Sequence, residues 1–386
     1  NIIIQNSTGT IKGGTTSADR GTAFSVKGSG IGVTEVNSIA DLSTLLTASG
    51  INPTNLTLTM ESDSRLLSLS EASVKLSVIS SINSSPISLP GVTINGNDYK
   101  TMLVYKGLLN IDEEVNLDDP ASDYSRVEMA NSTILNNNVI KGASNSQQGM
   151  AQANGVGLPK SVVTLTNNGT INLGGQESVG IYADYGIINN NNTIDTQGNK
   201  SFGIFGVNGT EITTAAGSTI KAGNNGAGIV AQSYIIDKLT GLIVSNGYGD
   251  GTFEVDHSGV ITMSGTDSFG IFADNNDTNS LTNIAARKVT LNAGSMIDMS
   301  GTASKGTALY INKGTLTTSG DMKVGNEGVG IYANDSNVSL NGGTIDIIGS
   351  DSTGIYLDGT TTLTATGGTI NVKGDNATVF FVNSLA

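Results

Sequence analysis

Apolar and polar residues alternate along this chain in segments of only four to six residues, and one such segment recurs. It reads Val179-Gly-Ile-Tyr-Ala183, Phe202-Gly-Ile-Phe-Gly206, Ala227-Gly-Ile-Val-Ala231, Phe269-Gly-Ile-Phe-Ala273, Val329-Gly-Ile-Tyr-Ala333 and Thr353-Gly-Ile-Tyr-Leu357. Weaker copies end at Ser25, Gln152, Tyr310 and Phe381. The period of two marks strands, with Ile181 and Ala183 on one face and Gly180 and Tyr182 on the other. Upstream of most copies stands a second phrase, as in Gly169-Thr-Ile171, Asn192-Thr-Ile194, Ser218-Thr-Ile220, Gly343-Thr-Ile345 and Gly368-Thr-Ile370. A third apolar pair precedes that one, as in Val163/Leu165, Val289/Leu291 and Val338/Leu340.

Successive glycines of the main phrase lie 23 residues apart from Gly180 to Gly203, 25 to Gly228, and 24 from Gly330 to Gly354. No 3.6-residue period runs through these units, which excludes a helical solenoid. Three short strands per unit of about 23–25 residues predict an all-β chain folded as a right-handed parallel β-helix. Stacking then aligns Ile181, Ile204, Ile229, Ile271, Ile331, Ile355 and Val379 as an internal apolar ladder. No unit buries a core alone.

Longer gaps mark insertions. The stretch 34–97 reads as a small helical insertion between N-terminal rungs (1–33) and the main β-helix (98–386). Within it, Ser38 and Asp41 form a capping pattern ahead of Leu42, Leu45 and Leu46, with Gly50 and Pro53 as a stop. A second helix is expected from Ser68 and Glu71 through Leu69, Ala72, Leu76, Ile79 and Ile82, ending before Pro86. The 42-residue step from Gly228 to Gly270 places a loop excursion at 232–254, and an Asn-rich excursion spans 274–287. Insertions in solenoids commonly carry binding.

With Ile and Ala pointing inward, the residue between them forms an outer column: Tyr182, Phe205, Val230, Phe272, Leu309, Tyr332, Tyr356 and Phe380. Aromatic residues are only 5% of the chain, so their concentration here singles out Tyr182, Phe205, Phe272, Tyr332 and Tyr356 as ligand-binding candidates. Cross-strand stacking within the sheet is the competing, structural role for the same rings. Asp184, Asp274, Asn334 and Asp358 recur just after the phrase and read as corner residues that tolerate left-handed backbone, rather than as a calcium ladder. Asp250, Glu254 and Asp256 crowd the 247–256 loop but lack the spacing of a calcium-binding loop.

The composition narrows the chemistry. With 19 basic and 33 acidic residues the formal charge is −14, which repels phosphate backbones, so no nucleic-acid partner is expected. There is no cysteine and a single histidine, His257, read as a surface turn residue, so neither a thiolate site nor a resident metal or other cofactor is expected. Arg20, Arg65, Arg126 and Arg287 are the only arginines, and none stands in a repeated phrase beside an acidic pair, as polysaccharide cleavage would require. The chain is therefore expected not to be an enzyme. Apolar runs of about four residues exclude a membrane-spanning helix.

The Val-Gly-Ile-Tyr-Ala phrases at 179–183 and 329–333, paired with Gly-Thr-Ile turns in an Asn/Thr-rich, acidic, cysteine-free chain, resemble passenger domains of bacterial autotransporters, in particular the large fusobacterial outer-membrane adhesins. The resemblance implies a segment displayed at the bacterial cell surface, attached to the outer membrane through a barrel outside this sequence. It implies a host cell-surface protein or glycan, or another bacterium's surface, as partner. It transfers no binding residue, because the repeated phrase marks scaffold. A polysaccharide lyase or hydrolase of the β-helix class and a passive stalk are the alternatives.

Overall fold

The structure, a computed structural model, describes residues 2–5, 8–12, 22–27, 35–48, 51–62, 64–78, 92–95, 100–119, 127–152, 162–233, 235–236, 243–244, 251–275, 284–301 and 305–383. The chain forms two compact units, Asn1–Val139 with Asn154–Thr166, and Ile140–Ala153 with Asn167–Ala386. Each is a stack of parallel strands, so the expected parallel β-helix is the fold.

In the first unit, Thr22–Lys27, Arg65–Ser70, Lys100–Tyr105 and Val127–Ala130 make one parallel sheet. A second runs Thr8–Ile11, Leu56–Met60, Val92–Asn95, and Ile2–Gln5 pairs with Ile51–Thr54. The stretch 34–97 is thus largely rungs of this coil. One expected helix is present, Ile39–Ala48. Ser38 Oγ accepts from the Asp41 N–H at 3.1 Å while Asp41 accepts from the Asn37 N–H at 3.0 Å, closing the cap. Leu42, Leu45 and Leu46 are buried. Pro53, read as a stop, lies within the strand Ile51–Thr54.

The second expected helix is replaced over its first half by strands Arg65–Ser70 and Ser73–Lys75, and among the described residues of its span a helical turn is present at 76–78. Ala72, Val74, Leu76 and Val78 are buried and the residues between them are not. That period of two also satisfies the i, i+4 spacing of Ala72 and Leu76, which is why a helix and a strand competed for the same residues. Ile79, Ile82 and Pro86 lie outside the described residues, as does Gly50.

In the second unit a nine-stranded parallel sheet carries the recurrent phrase, from Gln148–Gln152 to Thr378–Asn383. Two further strand columns complete each coil. One includes Ile187–Asn190, Glu211–Thr214, Phe253–His257, Arg287–Leu291 and Thr315–Thr318, the other Thr170–Leu173, Thr193–Thr196, Thr219–Ala222, Val260–Met263, Met296–Asp298 and Asp321–Val324. The long strands Asn337–Ile347 and Thr362–Val372 traverse both columns through irregular register.

The core ladder is Met150, Ile181, Ile204, Ile229, Ile271, Leu309, Ile331 and Ile355, all at 0% exposure. Each buried Ile contributes about 2–3 kcal/mol of transfer free energy. Phe380, not Val379, aligns with Ile355 as the next member. Of the 232–254 excursion, most residues lie outside the described set; Ile235–Ile236 and Ile243–Val244 pair antiparallel.

Candidate functional site

The strand of the recurrent phrase does not alternate simply. Val179 and Tyr182 are half-buried, whereas Gly180, Ile181, Ala183 and Asp184 are buried, and the same pattern recurs at Phe202–Val207, Phe269–Asp274 and Thr307–Asn312. Strict alternation sets Gly180 outward beside Tyr182; it faces inward. A Cβ on Gly180 would lie 2.5 Å from both the Gly203 carbonyl oxygen and Ile194 Cγ2. The strand therefore bends at the glycine, and residues three apart share the outer surface. Phe202 meets Phe205 edge-on at 5.2 Å, and Phe269 meets Phe272 at 5.1 Å.

The outer column is Tyr182, Phe205, Val230, Phe272, Tyr310, Tyr332, Tyr356 and Phe381. Two members differ from expectation. Leu309 is core, with Tyr310 outward, because Ala308 rather than Gly306 occupies the glycine position; Phe381 replaces Phe380, because Val379 holds that position in the last described rung. All five candidate residues, Tyr182, Phe205, Phe272, Tyr332 and Tyr356, stand in this one column. Tyr310 and Phe381 were missed through a shift of one residue in phase.

Phe272, Tyr310, Tyr332, Tyr356 and Phe381 form an unbroken stack with centroid separations of 4.8, 5.3, 4.7 and 4.8 Å and interplanar angles of 6, 20, 10 and 23°. Tyr182 and Phe205 form a separate tilted pair at 6.0 Å and 36°, and buried Val230 stands between the two groups. This geometry settles what the rings offer. The three tyrosines spend both faces on neighbouring rings of the stack, Tyr310 on Phe272 and Tyr332, Tyr332 on Tyr310 and Tyr356, Tyr356 on Tyr332 and Phe381, so no ring face among them is left free as a platform for a sugar ring.

A polar column runs beside the stack at the last strand position. Asn312 Nδ2 donates to Asp274 Oδ1 at 2.8 Å, Asn334 Nδ2 to Asn312 Oδ1 at 2.9 Å, and Asn383 Nδ2 to Asp358 Oδ1 at 3.3 Å. Lower on the sheet, Asn208 Nδ2 donates to Asp184 Oδ1 at 3.0 Å. Each of these carboxylates thus meets a carboxamide donor from the next rung. The left-handed backbone expected at Asp184, Asn334 and Asp358 falls one residue later, at Tyr185, Asp335 and Gly359. Tyr332 donates its hydroxyl to Asp358 Oδ2 at 2.9 Å, joining the two columns. Burial and the carboxylates nearby push Tyr182 and Tyr310 up to about 12 and raise Tyr332 as well, so these phenols are protonated near neutrality.

His257, expected in a surface turn, is fully buried at the end of Phe253–His257, with Nδ1 2.7 Å from Thr214 Oγ1. Burial lowers it to about 4, so the imidazole is neutral. Arg287 is also fully buried; its Nε donates to the Gly251 carbonyl at 2.5 Å and its Nη1 to that of Lys313 at 3.4 Å, fixing the root of the excursion. Glu254 and Asp256 lie on a strand and Asp250 is outside the described residues, as are Arg20 and Arg126. Among the described residues no group of three His, Cys, Asp or Glu side chains is placed to hold a metal ion, and no helix is long and apolar enough to cross a membrane.

No protein-family model and no curated protein matches the chain. Among solved structures, it aligns with the crystal structure of PfbA, a surface adhesin of Streptococcus pneumoniae, over 92% of this chain and 93% of that one, at 11% identity and a TM-score of 0.36. No function carries over at that level of similarity.

Proposed function

We propose that this chain is a segment of a surface-displayed adhesin that binds a protein or glycan of a host or partner cell without catalysis. The observation that supports the reading is the five-ring stack from Phe272 to Phe381 with its flanking Asp/Asn column. It sets aromatic edges, phenol hydroxyls and fixed carboxamides in register at the ~4.8 Å strand spacing. A partner meeting this strip makes many weak contacts with a surface already ordered, so little entropy is lost and many displayed copies supply avidity. Autotransporter-type display on an outer membrane belongs to the same proposal.

The test is binding of the purified chain to a glycan array and to cells, beside a variant carrying Tyr332→Thr and Tyr356→Thr. Threonine suits a strand and already stands in the outer row of this sheet at Thr307, Thr353 and Thr378. Loss of binding with the parallel-β circular dichroism retained supports the strip as the contact surface. Binding unchanged in the variant rejects it, and absence of binding by the parent chain favours a stalk. Deleting 34–97 is unsuitable as a control, because it removes strands that pair with rungs on both sides.

A further inference from the structure

The chain has no cysteine, so no disulfide ties one rung to the next. Its tyrosine stack offers a different covalent link. Tyr332 and Tyr356 are direct register partners on adjacent parallel strands, with ring centroids 4.7 Å apart and planes 10° from parallel. Tyr310 and Tyr332 are less well aligned, at 5.3 Å and 20°. The neighbours of the tyrosine run, Phe272 and Phe381, carry no phenol and stop the chemistry from spreading.

Tyr332 has a second feature. Its hydroxyl already donates to the Asp358 carboxylate at 2.9 Å. A phenol held this way releases its electron and its proton together, the proton passing to the carboxylate, and so avoids a buried radical cation. Both tyrosines are half-buried, so neither is closed off from solvent.

We infer that Tyr332 and Tyr356 are a site of intramolecular dityrosine formation, made when the protein meets a haem peroxidase with hydrogen peroxide. Each phenol gives up one electron and its hydroxyl proton. The two phenoxyl radicals couple through ring carbons ortho to oxygen, one carbon–carbon bond forms, and the two displaced ring hydrogens return to the oxygens. One hydrogen peroxide takes up the two electrons and two protons and leaves as two waters. The link closes a 24-residue loop between adjacent rungs, and restricts the unfolded chain as a disulfide would. This inference needs no ligand on the strip and stands apart from the adhesin reading.

The experiment treats the folded chain with peroxidase and hydrogen peroxide, then digests it with a protease that cuts at aspartate. Cleavage at Asp335, Asp346 and Asp351 separates Tyr332 from Tyr356 unless they are joined. A joined peptide lacking two hydrogen atoms, with a yield independent of protein concentration, is expected. Tyr332→Phe and Tyr356→Phe keep the ring stack and each abolish that peptide, and Asp358→Asn slows its formation. The inference is overturned if the peptide is absent from the treated parent chain, if it forms only between molecules, or if the coupling joins Tyr310 to Tyr332 instead. Asp358→Asn with an unchanged rate would remove the carboxylate from the step.

Discussion

Ala308 shows how closely one side chain in this coil is set by the next rung. It occupies the position held by Gly180, Gly203, Gly228, Gly270, Gly330 and Gly354. An added Cβ at Gly180 or Gly228 would press to 2.5 Å on the Cγ2 of an Ile in the following rung, Ile194 or Ile261. After Ala308 the corresponding residue is Met322, in register with Ile297, and its unbranched side chain leaves room for a methyl group. Met322→Ile is therefore expected to destabilise by about 1–3 kcal/mol through overpacking. Ala308→Gly added to it should restore most of the loss, as a double-mutant cycle in urea measures. His257 makes a separate prediction. Its folded value of about 4 lies below the ordinary 6.5, so the unfolded chain takes up the proton first. Its stabilising contribution is complete above pH ~6.5 and falls as pH drops toward ~4, by about 3 kcal/mol in all. His257→Leu, which copies Leu291 one rung on, should flatten this dependence in denaturant titrations from pH ~7.5 to ~4.5. Neither feature was legible from a repeat phrase. The burial of His257 depends on the strand's phase, and the Ala308 compensation on which residue of the next rung lies beneath it.

At the scale of the element, the strand repeat and the aromatic column were legible because glycine spacing fixes register once the strands are known to stack in parallel. What was lost is phase. Thr307–Asn312 and Thr378–Asn383 lack the glycine that marks the bend, so Leu309 and Phe380 were set outward when they align with the core ladder. Over 65–75 the pattern suited two periods at once, and pairing with strands on both sides decided for the sheet. Ring orientation was not legible at all: the sequence places aromatic residues in a row, while the χ angles that turn the rings face to face depend on the neighbours. The stack gives this element its own test. Tyr356 contacts a ring on each side, at 4.7 and 4.8 Å. At about 0.5–1.5 kcal/mol per aromatic pair, Tyr356→Ala should cost at least 1–3 kcal/mol, while Tyr356→Phe should be nearly neutral. Thermal unfolding monitored by circular dichroism distinguishes the two.

For the whole molecule, charge matters more than any single ion pair. The pairs Lys221–Asp195, Lys323–Asp298 and Lys373–Asp346, at 3.7, 2.9 and 3.1 Å, have lysines that are 40–55% exposed and add little each. A formal charge of −14 opposes compaction, and added salt screens it. The unfolding midpoint is accordingly expected to rise between ~0.01 and ~0.15 M sodium chloride; a fall would mean that attractive pairs outweigh the net repulsion. The last consequence comes from the corner ahead of each aromatic strand. There Ser146, Glu177, Lys200, Asn225, Asp267, Lys305, Glu327, Asp351 and Asn376 all adopt positive φ without glycine. The backbone N–H of Glu177, Lys200 and Glu327 reaches the next rung's carbonyl at 2.9, 2.8 and 2.8 Å, which offsets the cost of the left-handed turn. The main chain thus holds this corner while its side chains range over acids, bases and amides. Substitutions along this ridge can therefore reverse the charge of one edge of the coil rung by rung while the strand pairing that presents it stays the same.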